Sequence, residues 1–215
     1  LADYSSEDLS GKLACKKAVM KEMGLSQCHL PLFGIITRFA EQKGIGLLAE
    51  TIGEFLGKKQ LQLVILGEGD QLLADRLNQI TNKFPDMISI QVGYNASLAH
   101  QIEAGSDFYL MPSRFEPCGL NQMYSLAYGT LPIVRAVGGL KDTVIDLADD
   151  PDNATGFVFE QPSSNALLSC IQRALLFYHE APKVHELTQQ RGMQSRFTWE
   201  ASAQDYQALY LSLRR

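Results

Sequence analysis

Residues 61–70 read LQLVILGEGD, and this stretch decides the fold. Its apolar centre, 63–66, has no polar alternation, which is typical of a strand buried on both faces of a parallel sheet. Two glycines follow, and Asp70 is placed to cap the next helix. The string Gly67-Glu68-Gly69 begins like a dinucleotide fingerprint, but Leu72 stands where the third glycine would be, so we reject a nicotinamide site.

Apolar runs of the same kind recur along the chain, most of them bounded by glycine, proline or aspartate, and they predict strands at 32–37, 61–66, 88–92, 107–111, 131–135 and 156–160. Amphipathic stretches predict helices at 10–23, 44–56, 71–84, 95–104, 120–127, 139–148, 163–179, 183–194 and 199–213. A βα unit repeated about five times predicts an α/β fold with a Rossmann-like, doubly wound parallel sheet and extra C-terminal helices.

The composition is that of an ordinary globular chain of 215 residues, 46% hydrophobic and 20% charged, with a net charge of −5. This charge argues against a nucleic-acid partner, because duplex binding needs a basic face. No apolar run approaches the roughly 20 residues that span a bilayer, so we expect no membrane association. The four scattered cysteines form no C-x-x-C pair, which favours reduced thiols and a cytoplasmic location. Since the first residue is Leu1 and not Met, we expect a piece of a longer protein.

The loops after the apolar runs are the places to look for a site, because ligands of open α/β sheets bind beyond the carboxyl ends of the strands. After the first run, Arg38 and Lys43 lie five residues apart in front of a helix. Two cations at that spacing, with the free N–H groups of a helix start, can hold one diphosphate. A solvated pair beside Glu41 is the alternative, and spacing alone leaves both open.

The most unusual loop is 112–120, PSRFEPCGL. Glu116 stands there between a proline and a glycine just before a helix, where its carboxylate can accept hydrogen bonds from sugar hydroxyls or steady a developing cation. It can equally satisfy free N–H groups at the helix start. Gly119 allows a close approach of backbone to a ligand. The Gly-Gly opening of 138–141 suits phosphate oxygens, with a plain glycine-rich turn as the alternative.

Other candidate residues give weaker signals. Tyr94 follows the third run and could stack on a base, although packing is the ordinary role of a tyrosine at a strand end. The four histidines show no ligand or triad spacing, and we interpret them as surface or packing residues. Cys118 has no histidine near it in sequence, which disfavours a thiol nucleophile. No carboxylate cluster predicts a bound divalent metal.

Three stretches carry a resemblance to a known family: 31–44 (PLFGIITRFAEQKG), 64–70 (VILGEGD) and 112–143 (PSRFEPCGLNQMYSLAYGTLPIVRAVGGLKDT). They closely resemble the bacterial glycogen synthases, relatives of the plant starch synthases with the GT-B glycosyltransferase fold. The string F-E-P-C-G-L-x-Q is specific to this family. Tyr124 stands where the wider group of retaining transferases has a second glutamate. The resemblance runs over nearly all of the chain.

The resemblance implies a reaction in which glucose moves from ADP-glucose to the 4-OH of a growing α-1,4-glucan, with retention at the anomeric carbon and without a metal or other cofactor. It implies that Arg38 and Lys43 bind the donor diphosphate and stabilise the leaving ADP. Glu116 would hold the glucose. The remaining carried-over contacts are Tyr94 at the adenine, Ser113 near the nucleotide, the backbone of Cys118 and Gly119 at the sugar, Leu120 as a further substrate-binding residue, Tyr124 in place of a ribose-binding glutamate, and the phosphate-facing turn of Gly138, Gly139 and Leu140.

The resemblance also implies that the chain is only the C-terminal half of a GT-B enzyme. We expect 1–24 to form an interdomain linker and helix, and 25–195 the nucleotide-sugar-binding domain. The segment 196–215 would be a helix that crosses to the missing N-terminal domain, which holds most of the glucan acceptor site. A stripe on that helix, containing Trp199 and Tyr206, either is exposed or packs on its own domain. The fragment is expected to bind ADP or ADP-glucose and to be inactive alone.

Three alternatives remain open: a GT-B retaining transferase with a different nucleotide sugar, an isomerase like the nucleotide-sugar 2-epimerases, and a non-catalytic nucleotide-binding module. Tyr124 argues against the first, and the second would need extra acidic and histidine groups in the cleft. Val137 departs from the family, which often has threonine there. Alanine at Arg38 or Lys43 is expected to weaken ADP binding and to leave the melting curve nearly unchanged.

Overall fold

A six-stranded parallel sheet forms the centre of the computed structural model, which describes residues 2–195 and 197–213. The strands are β1 Leu32–Phe39, β2 Gln62–Gly69, β3 Ile88–Val92, β4 Phe108–Met111, β5 Leu131–Arg135 and β6 Phe157–Phe159. The helices are α1 Ser10–Glu22, α2 Ile45–Gly57, α3 Gln71–Lys83, α4 Ala96–Gly105, α5 Asn121–Ala127, α6 Gly139–Thr143, α7 Ser164–Glu180, α8 Pro182–Gln194 and α9 Trp199–Ser212. A short 3-10 turn, Glu41–Lys43, joins β1 to α2.

The strand order is β3-β2-β1-β4-β5-β6, with every neighbouring pair parallel. The predicted doubly wound sheet is therefore confirmed, and each predicted strand is present. The chain moves outward from β1 to β3 and then returns to the other side of β1 to form β4. This reversal places the switch point, where ligands bind in such sheets, between β1 and β4.

Strand β2 shows why the sheet is covered on both faces. Leu63 and Ile65 point into the main core with residues of α2, α3 and α7. Val64 and Leu66 point to the opposite face, where they pack with residues of α1 and α4. Because successive side chains of a strand alternate between faces, a run without polar residues needs apolar partners on both sides.

One predicted helix is shorter than expected. The pattern predicts 139–148, but α6 ends at Thr143 and Val144 is already extended. The backbone N–H of Ile145 donates to Thr155 Oγ1 at 3.0 Å, and Asp146 forms a bridge with Gly156. Contacts with the segment that leads into β6 thus end the helix before its apolar periodicity does.

Helix α9 stands apart from the rest of the chain, since none of its residues is buried. Trp199 is 88% exposed, and Tyr206 and Tyr210 are also exposed. The alternative that the stripe packs on its own domain is therefore wrong for the part of α9 that the structure describes. Of the proposed segments 1–24 and 196–215, residues 1, 196, 214 and 215 lie outside the described residues. Across 2–195 and 197–213, no helix has the length and hydropathy to cross a membrane.

Candidate functional site

A cavity of about 500 Å³ lies at the carboxyl ends of the strands, around the switch point. It brings together seven of the residues that the sequence predicts for the site: Arg38, Lys43, Tyr94, Ser113, Glu116, Gly119 and Leu120. These residues come from loops that are far apart in sequence. These seven residues thus lie together at the edge of the sheet where the rule that ligands bind beyond the strand ends places a site.

The crevice opens because β1 and β4 separate soon after they meet. Their register contains only two pairs, Phe33 with Phe108 and Gly34 with Tyr109. Beyond these pairs, Tyr109 Oη fills the gap, accepting from Ile36 N and donating to Ile36 O, both at 3.0 Å. Complete burial raises the pKa of the Tyr109 hydroxyl far above its ordinary value. It is thus a neutral hydrogen-bonding bridge beneath the cavity.

Asn121, which the sequence interpretation missed, completes this bridge. Its side-chain amide donates to Ile36 O at 2.8 Å and to Tyr109 Oη at 2.7 Å. It lies at the first turn of α5 and lines the cavity. These two partners lie on β1 and β4, so the role of Asn121 is visible only once the strands are placed beside each other.

The two cations lie near the carboxyl end of β1 and in the turn after it. Arg38 is exposed near the end of β1 and Lys43 ends the 3-10 turn, and both line the cavity. Gly44 follows with φ of +71°, and a Cβ there would collide with the carbonyl oxygen of Pro112. Glycine is therefore required both by its left-handed backbone and by the close approach of the 112–116 loop. This approach brings Lys43 to Glu116.

Glu116 and Lys43 form an ion pair across the two loops through Glu116 Oε2. The Glu116 side chain is 8% exposed and that of Lys43 is 20% exposed. Ser113 Oγ donates to the same carboxylate oxygen at 3.3 Å. Glu116 is thus a charged group in the cavity wall, and the alternative that it caps the following helix is wrong: α5 begins at Asn121 and its start has no side-chain cap.

Two residues outside the predicted site hold the 112–116 loop. The side chain of Arg135, at the end of β5, donates to the backbone carbonyls of Ser113, at 2.7 Å, and Arg114. On the other side, Gln42 O accepts from Arg114 N at 2.8 Å, and Gln42 Nε2 donates to Phe115 O at 3.2 Å. The loop that carries Glu116 is therefore fixed between β5 and the turn after β1.

The far end of the cavity is formed by the loops after β2 and β3. Gly67 and Glu68 line it from β2, and Gly93, Tyr94 and Asn95 line it from the loop after β3. Tyr94 is 88% exposed, so the packing alternative for this tyrosine is wrong. An exposed ring at the rim of a cavity is available to stack on a planar ligand.

The other five predicted residues do not line the cavity. Cys118 and Tyr124 are exposed nearby, and Leu140 is fully buried in a small apolar cluster. The N–H of Gly139 donates to Pro117 O at 3.1 Å, and that of Leu140 to Val137 O at 3.1 Å. A Cβ at Gly138 would collide with the carbonyl oxygen of Glu116. In this structure the glycine turn supports the Glu116 loop, and two of its donors are directed at the protein.

The four histidines lie outside this cavity. His185 is buried beside Phe108 and Tyr178, and burial lowers its pKa to about 4. His29, His100 and His179 are exposed, as expected for surface residues.

The described residues contain no group of three or more His, Cys, Asp or Glu arranged to hold a metal ion.

Fold and site together define a doubly wound α/β domain with a ligand cavity at its switch point, lined by two cations and one buried carboxylate. The chain belongs to the group 1 glycosyl transferases, because the model of that family matches residues 26–191. The resemblance to the glycogen synthases is also confirmed. The glycogen synthase of Aeromonas hydrophila is 49% identical over 97% of this chain, and that of Vibrio cholerae serotype O1 is 49% identical over 97%.

A solved structure supports the same relationship. The catalytic domain of starch synthase IV from Arabidopsis thaliana, bound to ADP and acarbose, superimposes with a TM-score of 0.89 at 34% identity. It matches 98% of this chain, which covers 44% of the plant chain. The chain likewise spans 43% of the Aeromonas relative and 44% of the Vibrio relative. The fold is therefore that of the C-terminal domain of a GT-B enzyme.

Proposed function

We propose that this chain is the donor-binding half of a retaining glucosyltransferase that moves glucose from ADP-glucose to the 4-OH end of an α-1,4-glucan. The observation that carries the proposal is the convergence of Arg38, Lys43 and Glu116 on one cavity at the switch point. The similarity to glycogen synthases supports the reaction, and the ADP bound to the plant starch synthase supports the nucleotide.

Arg38 and Lys43 would bind the diphosphate. Their positive charges face a cavity partly shielded from water, where electrostatic stabilisation of a leaving group is stronger than in bulk solvent. As the glycosidic bond to phosphate breaks, negative charge grows on ADP, and the two cations stabilise it. In this proposal they take the part that a metal ion has in other transferases, so the reaction needs no metal.

Glu116 would hold the glucose. Its buried carboxylate can accept hydrogen bonds from sugar hydroxyls, and Lys43 and Ser113 keep it in place. Gly119 and Leu120 line the cavity beside it, and Tyr94 at the other end would pack on the adenine. The backbone of Cys118, the side chain of Tyr124 and the turn of 138–140 remain proposed contacts outside the cavity wall.

The acceptor glucan would bind mainly to a part of the enzyme that this chain does not include. We propose that 25–195 is the nucleotide-sugar-binding domain, that 1–24 links it to the other domain, and that the helix in 196–215 crosses to that domain. The exposed aromatic residues of α9 support this placement, since they have no cover here. The four free cysteines suit a reducing, cytoplasmic location.

Calorimetry with ADP, UDP and GDP on this chain tests the proposal. ADP should bind at least about tenfold more tightly than UDP or GDP, which corresponds to about 1.4 kcal/mol. Adding EDTA should leave the ADP affinity unchanged, because the two cations and not a metal hold the diphosphate. Preference for UDP would favour a transferase with another nucleotide sugar. Absence of binding for all three nucleotides would contradict the proposed function.

A further inference from the structure

Arg135 contacts the Glu116 loop through two hydrogen bonds, although it does not line the cavity. It lies at the end of β5 and is partly buried. Its Nε donates to Ser113 O at 2.7 Å, one terminal nitrogen donates to Arg114 O, and the other donates to Glu160 O at 3.4 Å. One guanidinium thus connects the carboxyl ends of β5 and β6 to the loop after β4.

We propose that Arg135 is a positioning residue for Glu116, acting through the backbone of Ser113 and Arg114. The planar fork of the guanidinium donates to two successive carbonyls, which fixes the path of the loop just before Glu116. Ser113, the residue it holds, in turn donates to the Glu116 carboxylate. The inference rests on the proposed function, in which Glu116 holds the sugar of the donor.

Gln42 forms hydrogen bonds to the side of the loop opposite Arg135. Gln42 holds Arg114 and Phe115 from the turn that carries Lys43. With Arg135 in place, the loop has donors and acceptors on both sides, and the Glu116 carboxylate stays within reach of Lys43. Without Arg135, the loop keeps its hydrogen bonds to Gln42 and its contacts with the glycine turn but loses its link to the end of β5, so the segment just before Glu116 becomes more mobile.

The test compares Arg135→Gln and Arg135→Lys with wild type by calorimetry, using ADP and ADP-glucose as separate ligands. ADP-glucose should bind at least about tenfold more weakly to both variants, the size expected for losing one charge-assisted hydrogen bond. ADP should weaken by less than about threefold, because Arg38 and Lys43 do not depend on this loop for their own backbone. Lysine is not expected to rescue, since a single ammonium cannot reproduce the two-carbonyl fork.

Arg191→Gln is the matched control. Arg191 also donates from its guanidinium to two loop carbonyls, Pro151 O at 3.1 Å and Ala154 O at 2.9 Å, but that loop does not line the cavity. Its substitution should leave the affinities for both ligands unchanged. Equal weakening of ADP and ADP-glucose in the Arg135 variants, or no weakening of either, would overturn the inference.

Hydrogen exchange without ligand separates this inference from the proposed function. In the Arg135 variants, amide exchange should accelerate in the peptide 112–117 and remain as in wild type in α3 and α7. Faster exchange across the whole chain would show that Arg135 stabilises the fold in general and does not position the loop. If wild type binds no ADP, the proposed function fails, whereas the exchange result still decides whether Arg135 holds the loop.

Discussion

At the scale of single residues, the ion pair between Lys43 and Glu116 changes what a substitution should do. Lys43→Ala should weaken ADP binding by about 1.5–3 kcal/mol, the usual size of a charge-assisted contact. It should also destabilise the fold by about 1–3 kcal/mol, because it leaves the buried Glu116 carboxylate without its cation. The sequence predicts a nearly unchanged melting curve for both alanine variants; the ion pair revises this prediction for Lys43, and for Arg38 it stays a prediction. Calorimetry and denaturant unfolding measure the two effects.

Two variants separate these effects. Adding Glu116→Gln to Lys43→Ala removes the uncompensated charge, so stability should recover while ADP binding stays weak. Lys58→Ala is the matched control, because Lys58 also pairs with a glutamate but both partners are exposed. It should change neither quantity by more than a few tenths of a kcal/mol. If Lys43→Ala binds ADP as tightly as wild type, Lys43 does not contact the diphosphate.

The residues of the site were predictable to different degrees for a physical reason. Arg38, Lys43 and Glu116 lie at or just after strand ends, so topology alone brings them to one edge of the sheet. The contacts of Arg135 and Asn121 depend on side chains that reach backbone atoms of another strand. No local sequence pattern predicts such contacts, because they join residues that become neighbours only in the folded sheet.

At the scale of elements, periodicity predicted the strands and most helix bounds, because most helices have one face in the core and a strand such as β2 has both. It failed at α6, where Thr155 and Gly156 bind the backbone that follows Thr143. Arg173 then holds Asp146 through both guanidinium ends, at 2.8 and 2.9 Å. These tertiary bonds end the helix although the apolar spacing of Val144 and its neighbours continues its period.

Helix α8 gives a prediction about pH. It places His185 against the sheet near Lys12, Lys16 and Asp107, and burial lowers the pKa of His185 to about 4 from an ordinary 6.5. Between these values the unfolded chain binds a proton that the folded chain does not, so stability should fall as the pH drops from 6.5 towards 4. The loss from pH 7.5 to pH 5 should be about 2 kcal/mol for this group.

Glu103 acts in the opposite direction, because burial raises its pKa to about 6 and stabilises the folded state on acidification. Wild type and His185→Phe both keep Glu103, so the contribution of Glu103 cancels when the pH dependences of their stabilities are compared. The variant retains an aromatic ring beside Phe108 and Tyr178 but cannot titrate. Denaturant unfolding at pH 7.5 and pH 5 should show about 2 kcal/mol less acid destabilisation in the variant. Parallel pH dependences would contradict the buried neutral histidine.

At the scale of the whole molecule, the chain carries the proposed donor-binding groups but covers only 43% of its Aeromonas relative. The cavity is open at the strand ends, and α9 exposes its aromatic residues. Transfer to a glucan also needs an acceptor hydroxyl held against the anomeric carbon, and orientation of two reactants contributes a large part of an enzymatic rate. A donor half alone should therefore bind nucleotide without elongating glycogen.

A chimera tests this expectation, with this chain replacing the matching part of the Aeromonas hydrophila glycogen synthase. Transfer of radiolabelled glucose from ADP-glucose to glycogen should be at background for the chain alone and well above it for the chimera. Lys43→Ala in the chimera should lower kcat/KM at least about tenfold, because it removes stabilisation of the leaving ADP. Lys58→Ala in the same chimera should leave kcat/KM unchanged. Elongation by the chain alone at the rate of the chimera would show that acceptor binding and transfer need nothing beyond these 215 residues.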